Sequence, residues 1–147
     1  MLYSTGKRGF IMSSLLKKFR LTDEFLGAYE KLVIEQVIPY QEKALNDEIE
    51  DAEKSHAIEN FRMAAQMLEK GSCEGEFYGM VFQDSDVAKW LEAAAYSLVH
   101  KPDQELEQRM DALIALIGRA QHKDGYLNTY FTVKEKETVQ TVMDCKN

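Results

Sequence analysis

Three polar side chains, Gln83, Asp84 and Asp86, directly precede a segment from Val87 to about His100 whose apolar residues predict a helix. Carboxylates are favoured at a helix N-terminus, because its free backbone N–H groups and the helix dipole attract negative charge. One interpretation is therefore that Asp84 or Ser85 simply caps this helix. The other is that Gln83, Asp84 or Asp86 binds a hydroxyl group of a substrate or orients a neighbouring loop.

A second polar loop follows later in the chain and contains Asp124, Tyr126 and Asn128. Turn formation by itself explains Asp124, because Asp followed by Gly125 is a common turn pair. The hydrogen-bonding groups that come after it are those that a polyol site would use. The sequence leaves both interpretations open, with Asp124 and Tyr126 as the candidate substrate-binding residues.

Trp90 lies within the helix that follows the first polar cluster. Its ring could stack on a sugar, but its position between Val87, Leu91 and Ala94 is more typical of a core residue. The run Ala93–Ala95 would let another helix approach closely. We therefore expect this helix to be central and flanked on two sides.

The cysteines and histidines do not predict a catalytic centre. Cys73 and Cys145 have no second Cys or His at ligand spacing, so no zinc site is expected from this chain itself. His56, His100 and His122 all fall near predicted helix ends. No Ser–His or Cys–His pair and no glycine-rich phosphate loop follow from the spacing.

The composition excludes several classes of partner. The chain has 147 residues, enough for one domain, and 45% of them are hydrophobic. Its net charge of -7 disfavours nucleic acid. No apolar run approaches the roughly 18 residues that cross a membrane. Lys7 and Arg8 faintly resemble a secretory signal, but Lys17 and Lys18 stand where a cleavage site should be, so a cytoplasmic location is expected.

Helical periodicity dominates the first third of the chain and indicates an all-α fold. Thr22–Glu24 should open the first helix, and Pro39 should kink or restart it before a second piece over Tyr40–Glu50. The apolar positions of this first helix are Phe25, Tyr29, Leu32, Val33 and Val37, with Gln36 among them.

Further helices should follow, joined by short turns into antiparallel hairpins. Ser55 is the expected N-cap of one helix, with Gly71 after its end, and Asp103 is the expected N-cap of another. The latter carries the clearest amphipathic pattern, formed by Leu106, Met110, Leu113, Ile114 and Ile117. Strand signals are confined to Phe77–Phe82 and Tyr130–Val133.

Seven stretches occur in order between about residues 20 and 133. They are Thr22-Asp-Glu-Phe-Leu-Gly27, Val37-Ile-Pro-Tyr-Gln41, Leu45-Asn-Asp-Glu-Ile49, Lys54-Ser-His-Ala57, Glu76-Phe-Tyr-Gly-Met-Val-Phe-Gln-Asp-Ser-Asp-Val87, Lys89-Trp-Leu-Glu-Ala-Ala94 and Asp124-Gly-Tyr-Leu127. As an ordered set they resemble glycoside hydrolase family 127, the β-L-arabinofuranosidases. The resemblance implies a segment over 20–133 from an (α/α)6 barrel, with an amino-terminal extension over 1–19 and a divergent tail over 134–147.

The resemblance also implies a chemistry. Members of this family are retaining hydrolases that release L-arabinofuranose, and their barrel is followed by β-domains. Their nucleophile is a cysteine held in a zinc site with other cysteines and a glutamate, and a second glutamate acts as acid and base. All of these groups lie further along than this chain extends, so neither Cys73 nor Cys145 takes the nucleophile's role and no cofactor is expected in this chain.

The chain departs from the family pattern at two places. Leu26 stands where the family usually has Trp, and no His–Glu pair follows Tyr130–Val133 before Val142–Asn147 ends the sequence. We therefore expect an amino-terminal segment of a glycosidase that is inactive alone, with an arabinose-containing glycan as ligand if the barrel is completed. The alternative is a non-catalytic helical interaction module that self-associates through uncovered helix faces.

Overall fold

The structure, a computed structural model, describes residues 18–134. All regular structure within that range is helical, without a strand, which confirms the all-α prediction. The elements are α1 (Glu24–Leu32), a π-helical turn (Val33–Val37), α2 (Ile38–Leu45), α3 (Ala57–Lys70), α4 (Asp84–His100), α5 (Gln104–Ala120) and α6 (Thr129–Val133). The predictions for 1–19 and 134–147 concern residues that lie, except for 18, 19 and 134, outside this range.

The first helical stretch begins where the sequence predicts it. The Asp23 carboxylate accepts the backbone N–H of Leu26 at 2.7 Å and caps α1. Pro39 changes the type of helix rather than breaking it. The π-helical turn comes just before Pro39, and the N–H of Ile38 reaches back five residues to the carbonyl of Val33. Pro39 itself lies in the first turn of α2, where its missing N–H costs little.

The end of α2 comes earlier than predicted, at Leu45 instead of Glu50. The side-chain amide of Asn46 donates to the Glu42 carbonyl at 3.0 Å and satisfies a group at the helix end. Asp47 then takes a left-handed conformation with φ of 61°, which ends the helix.

Helix α3 is the most deeply buried helix of the described part. Phe61, Ala64 and Ala65 are almost entirely covered, since α3 packs against α4, α5 and α6. The prediction that α4 is flanked on two sides is confirmed, because it packs on α2 and on α5 as well as on α3. Burial is greater in α3, of which seven residues are buried, than in α4, of which four are buried.

The ends of α3 follow the sequence signals only in part. The N-cap is His56 in a left-handed conformation, although Ser55 was expected. The Ser55 hydroxyl nevertheless accepts the N–H of Ala57 at 3.2 Å. Gly71 ends the helix with φ of 75°, as predicted for a C-terminal glycine.

A turn over residues 101–103 joins α4 to α5 as a helical hairpin. The Asp103 carboxylate accepts the N–H groups of Glu105 and Leu106, each at 3.0 Å, which confirms the predicted cap. The amphipathic pattern places Leu106, Met110 and Leu113 in the core, whereas Ile114 is exposed.

Both strand signals are wrong. Phe77–Phe82 belongs to an irregular loop, and Tyr130–Val133 lies in α6. The β-branched and aromatic residues of α6 are held in a helix by the cap from Asn128, whose side chain accepts the N–H of Phe131 at 3.2 Å. This local cap, together with the packing of α6 on α3, overrides local β-propensity here.

Trp90 fills the centre of the core between α2 and α4. It is 4% exposed, and its indole N–H donates to the Ile38 carbonyl at 3.0 Å. The core interpretation of this residue is therefore confirmed.

None of the helices between residues 18 and 134 combines the length and apolar character that crossing a membrane requires.

Candidate functional site

Three loops, over residues 46–56, 71–83 and 121–128, are tied together at one end of the helices. They precede the amino termini of α3, α4 and α6. Side-chain hydrogen bonds connect them in pairs, from Gln83 to the carbonyl of Ser55, from Tyr78 to Glu53 and from Asn128 to the carbonyl of Val81. We call this surface the loop face.

Gln83, a candidate substrate-binding residue, is used to position two loops. Its amide nitrogen donates to the Ser55 carbonyl, and its amide oxygen accepts the N–H of Met80 at 3.2 Å. Gly79, with φ of 104°, lies directly under the Gln83 side chain, where an added Cβ would collide with it. The positive φ favours glycine at position 79, and a side chain there would also displace the Gln83 amide from its hydrogen bonds.

Asp84 lies in the first turn of α4, whose N-cap is Gln83, so the predicted capping by Asp84 or Ser85 is wrong for this helix. The Asp84 carboxylate instead accepts both the backbone N–H, at 2.7 Å, and the hydroxyl of the buried Thr129. It therefore anchors the start of α6, as the loop-orienting interpretation predicts. Asp86 is exposed and pairs with Lys89 at 3.2 Å.

The second polar loop lies beside the first. Asp124 is exposed, and its carboxylate accepts the N–H of Tyr126 at 3.0 Å, as expected of a turn. Burial, and then the negative charge of Asp84, raise the pKa of the Tyr126 phenol. The second polar loop therefore lies within range of the Asp84 charge.

A cluster of four side chains at the loop face was not predicted from the sequence. The Tyr78 hydroxyl donates to Glu53 at 2.7 Å, and this hydrogen bond raises the pKa of Tyr78. His56 Nδ1 lies 3.1 Å from the Asp47 carboxylate, and the His56 ring meets the edge of the Tyr78 ring at 5.0 Å. The cluster combines two carboxylates, a phenol and an imidazole at one surface.

Two members of this cluster have unusual backbones. Asp47 and His56 have φ angles of 61° and 53°, which non-glycine residues rarely adopt. The Asp47 carboxylate stabilises the arrangement by accepting the N–H groups of Ser55, at 2.7 Å, and of His56, at 2.9 Å. Such strain is concentrated at functional sites in proteins. The stretch Lys54–Ala57 was the available sequence signal, but a positive φ cannot be inferred from residue types.

Asn60 holds the 71–83 loop against α3. It is fully buried, its amide donates to the Tyr78 carbonyl at 2.8 Å, and its oxygen accepts the Tyr78 N–H at 3.4 Å. The side-chain amide thus pairs with both backbone groups of one residue, the N–H and the C=O of Tyr78, as a neighbouring strand would. Tyr78 is consequently presented by a fixed backbone rather than by a loose loop.

An open cavity of about 560 Å³ lies on the loop face. The rings of Tyr78 and Phe82 are exposed beside it, and Glu53 and Asp86 supply carboxylates at its rim. Ring faces that pack on C–H groups and carboxylates that accept hydroxyl hydrogens are the combination that a carbohydrate requires. This cavity is the candidate substrate-binding site.

Comparison with known proteins identifies the family. The family model for the β-L-arabinofuranosidase GH127 catalytic domain matches residues 18–144, most of the chain. This chain belongs to glycoside hydrolase family 127. A non-reducing end β-L-arabinofuranosidase from Bifidobacterium longum subsp. longum is 44% identical over 126 residues, which cover 78% of this chain and 18% of that protein.

Solved family 127 structures agree with this assignment. A β-L-arabinofuranosidase from Geobacillus stearothermophilus T6 superposes with a TM-score of 0.75 at 61% identity, covering 81% of this chain and 18% of that one. A second GH127 β-arabinofuranosidase gives a TM-score of 0.68 at 31% identity, covering 80% and 17%. The helical hairpins are therefore part of an (α/α)6 barrel, and the chain spans about a fifth of its relatives' length.

The zinc site implied by the family does not fit the residues described here. No three His, Cys, Asp or Glu side chains between residues 18 and 134 are grouped so that they could hold a metal ion. Cys73, which forms no disulfide, is half-buried and has no second thiol in this range. Cys145 lies outside it. No catalytic step of a family 127 enzyme can therefore be assigned to the described residues.

A larger groove of about 680 Å³, between α2, α3 and α5, is a weaker candidate for the family 127 substrate. Four basic side chains line it, and three of them have acidic partners. Arg109 lies 2.7 Å from Glu42, which raises the pKa of Arg109, Arg62 lies 2.9 Å from Glu59 and Arg119 lies 3.1 Å from Glu69. An arabinoside has no charge for such side chains to bind, and Trp90, the aromatic residue of this lining, is buried. The exposed rings of Tyr78 and Phe82 therefore make the loop face the better site.

Proposed function

We propose that this chain contributes the first helices and one wall of the substrate cavity to a retaining β-L-arabinofuranosidase, and that it does not hydrolyse glycosides by itself. The observation that carries the proposal is the family 127 match over residues 18–144. The matched region covers only 18% of the length of the Bifidobacterium relative. The predicted location in the cytoplasm stays a prediction, since it depends on residues 1–17.

Within this proposal the loop face binds sugar and does not perform the chemistry. A retaining glycosidase needs a nucleophile and an acid/base on opposite sides of the scissile bond. Glu53 accepts a hydrogen bond from the Tyr78 hydroxyl, and Asp84 accepts one from the Thr129 hydroxyl. Both carboxylates therefore act as hydrogen-bond acceptors. The predicted substrate-binding residues Asp86, Asp124 and Tyr126 stay candidates for the same wall, whereas the hydrogen-bonding groups of Gln83 already bind protein.

The purified 147-residue chain is expected to release no arabinose from a β-L-arabinofuranoside, with or without added zinc, because the described residues contain no cluster of side chains that could form the family's zinc-bound cysteine site. The measurement is a reducing-sugar or chromogenic assay, with the Geobacillus relative as positive control. Turnover by this chain at a rate comparable to that of the control would contradict the proposal.

Replacing Phe82 with alanine is expected to weaken substrate binding when residues 18–134 are grafted into the Geobacillus relative, whose sequence is 61% identical. Loss of one ring contact of about 1 kcal/mol should raise KM roughly fivefold and leave kcat nearly unchanged. Steady-state kinetics of the graft, with the exposed Ile114→Ala as matched control, measures this. An unchanged KM, or an equal effect of both changes, would remove Phe82 from the site.

The second candidate function is a free-standing interaction module, and the exposed apolar side of α1 favours it. Size-exclusion chromatography and circular dichroism of the full chain distinguish the two. A folded chain that forms a defined dimer with itself supports the module, whereas a folded monomer, or a chain that aggregates, supports a segment that needs the rest of its barrel.

A further inference from the structure

An apolar surface runs along the first helical stretch on the side away from α4. It consists of Phe25, Tyr29, Leu32, Val33 and Val37, and we call it the α1 stripe. No residue of α1 is buried, and Phe25 and Tyr29 are 69% and 55% exposed. Helical spacing of this kind normally marks the face that a helix turns toward a core.

The orientation of α1 is fixed by polar contacts on its other side. His100 Nδ1 lies 3.3 Å from Glu30, and Lys101 Nζ lies 2.9 Å from Glu35. Both partners come from the end of α4 and the residue after it. These pairs hold the helix with the stripe facing outward. Half-exposed ion pairs contribute little stability, so a partner on the apolar side would add much more.

The α1 stripe is a continuous patch and not a set of scattered side chains. The rings of Phe25 and Tyr29 contact each other at 5.0 Å between centroids, and Leu32 and Val33 continue the patch toward Val37. Contiguous exposed apolar surface of this kind marks an interaction site.

We propose that the α1 stripe is the docking surface for the polypeptide that corresponds to the rest of the relatives' chain, whether it is joined to this chain or separate. About four fifths of those relatives' length has no counterpart here, since 18% is covered, and an (α/α)6 barrel closes by packing its helices in a ring. The stripe is the open edge of that ring. This inference rests on the family membership and on the proposed function.

A second copy of the chain is a less suitable occupant. Each copy carries a net charge of -7, so two copies repel each other. The acidic pair Asp23 and Glu24 lies directly before the stripe and would add to that repulsion in a symmetric dimer. A partner with an apolar helix face and no such charge meets no comparable barrier.

The test mixes the full 147-residue chain with the part of the Geobacillus enzyme that has no counterpart in it, and measures binding by light scattering after size exclusion and by titration. A one-to-one complex is expected. Phe25→Glu combined with Tyr29→Glu should weaken it at least tenfold, because the central apolar contacts of an interface carry most of its affinity. Lys31→Glu is the matched control: it makes the same two-unit charge change on the same helix and should bind nearly as well.

Failure of the unaltered chain to bind a Geobacillus part that circular dichroism shows to be folded, or equal binding by the double variant, would overturn the proposal, as would a homodimer that forms in place of the complex. Circular dichroism checks that the variants fold, and Phe25→Ser serves as a milder change if the double variant does not. Hydrolysis by the same mixture tests the proposed function separately. A complex without hydrolysis contradicts that function and still supports docking.

Discussion

Replacing Trp90 with alanine is expected to lower the free energy of unfolding by about 3–5 kcal/mol, the usual cost of truncating a large buried aromatic residue. Trp90 is 4% exposed and lies between α2 and α4. Its removal leaves a cavity where the two helices meet. It also leaves the Ile38 carbonyl without the indole N–H that lies 3.0 Å from it.

Urea unfolding followed by circular dichroism is the appropriate measurement for this variant. The chain has a single tryptophan, so its fluorescence disappears with the substitution. Trp90→Phe should cost less, because it retains most of the apolar volume and loses mainly the hydrogen bond. Tyr96→Ala, at a more exposed position on the same helix, is the control and should stay within about 0.5 kcal/mol of the unaltered chain. Equal midpoints for Trp90→Ala and Tyr96→Ala would contradict a core role for Trp90.

Replacing Asp84 with alanine is expected to destabilise the start of α6 by about 2–3 kcal/mol, since hydrogen bonds to a charged group are among the stronger ones. Both Thr129 donors, the backbone N–H and the hydroxyl, lose their acceptor. Thr129 is fully buried, so water replaces that acceptor poorly. Residues 129–133 should then exchange their amide hydrogens faster than those of α3.

Asp86→Ala is the matched control, because it removes a carboxylate two residues away in the same turn. Asp86 is exposed and pairs only with Lys89 among the contacts described, so its loss should be nearly neutral. Hydrogen exchange measured by mass spectrometry or NMR distinguishes the two variants. If Asp84→Ala left the exchange of residues 129–133 unchanged, the anchoring role of Asp84 would be wrong.

Local signals in the sequence predicted the helix ends that depend on nearby residues. Asp23, Asp103 and Gly71 act within one turn of their own position, and all three were found where expected. Asp84 looked like the same kind of cap, yet it stabilises a helix that begins 45 residues later. Spacing along a chain contains no information about such a partner, so the sequence could suggest an oriented loop without naming it.

The candidate site was predicted less well than the fold, because its contacts also join residues that are far apart along the chain. The polar loops at Gln83 and Asp124 were found from composition, and the structure places them on the same face. The cluster of Asp47, Glu53, Tyr78 and His56 was missed, because it depends on two left-handed residues and on the pairing of Asn60 with the backbone of Tyr78 in another loop. None of these features produces a periodic pattern or a spaced motif.

The π-helical turn before Pro39 keeps Val37 on the same side of the helical stretch as Phe25 and Tyr29. A π-turn takes about one residue more than a turn of α-helix, and an added residue shifts everything downstream by about 100° around the axis. In an uninterrupted α-helix Val37 would lie about 120° around the axis from Phe25. The wider turn brings Val37 back toward the α1 stripe, while its neighbour Ile38 is buried in the core. An insertion or deletion in this turn would therefore change which side chains the stretch presents to a neighbour.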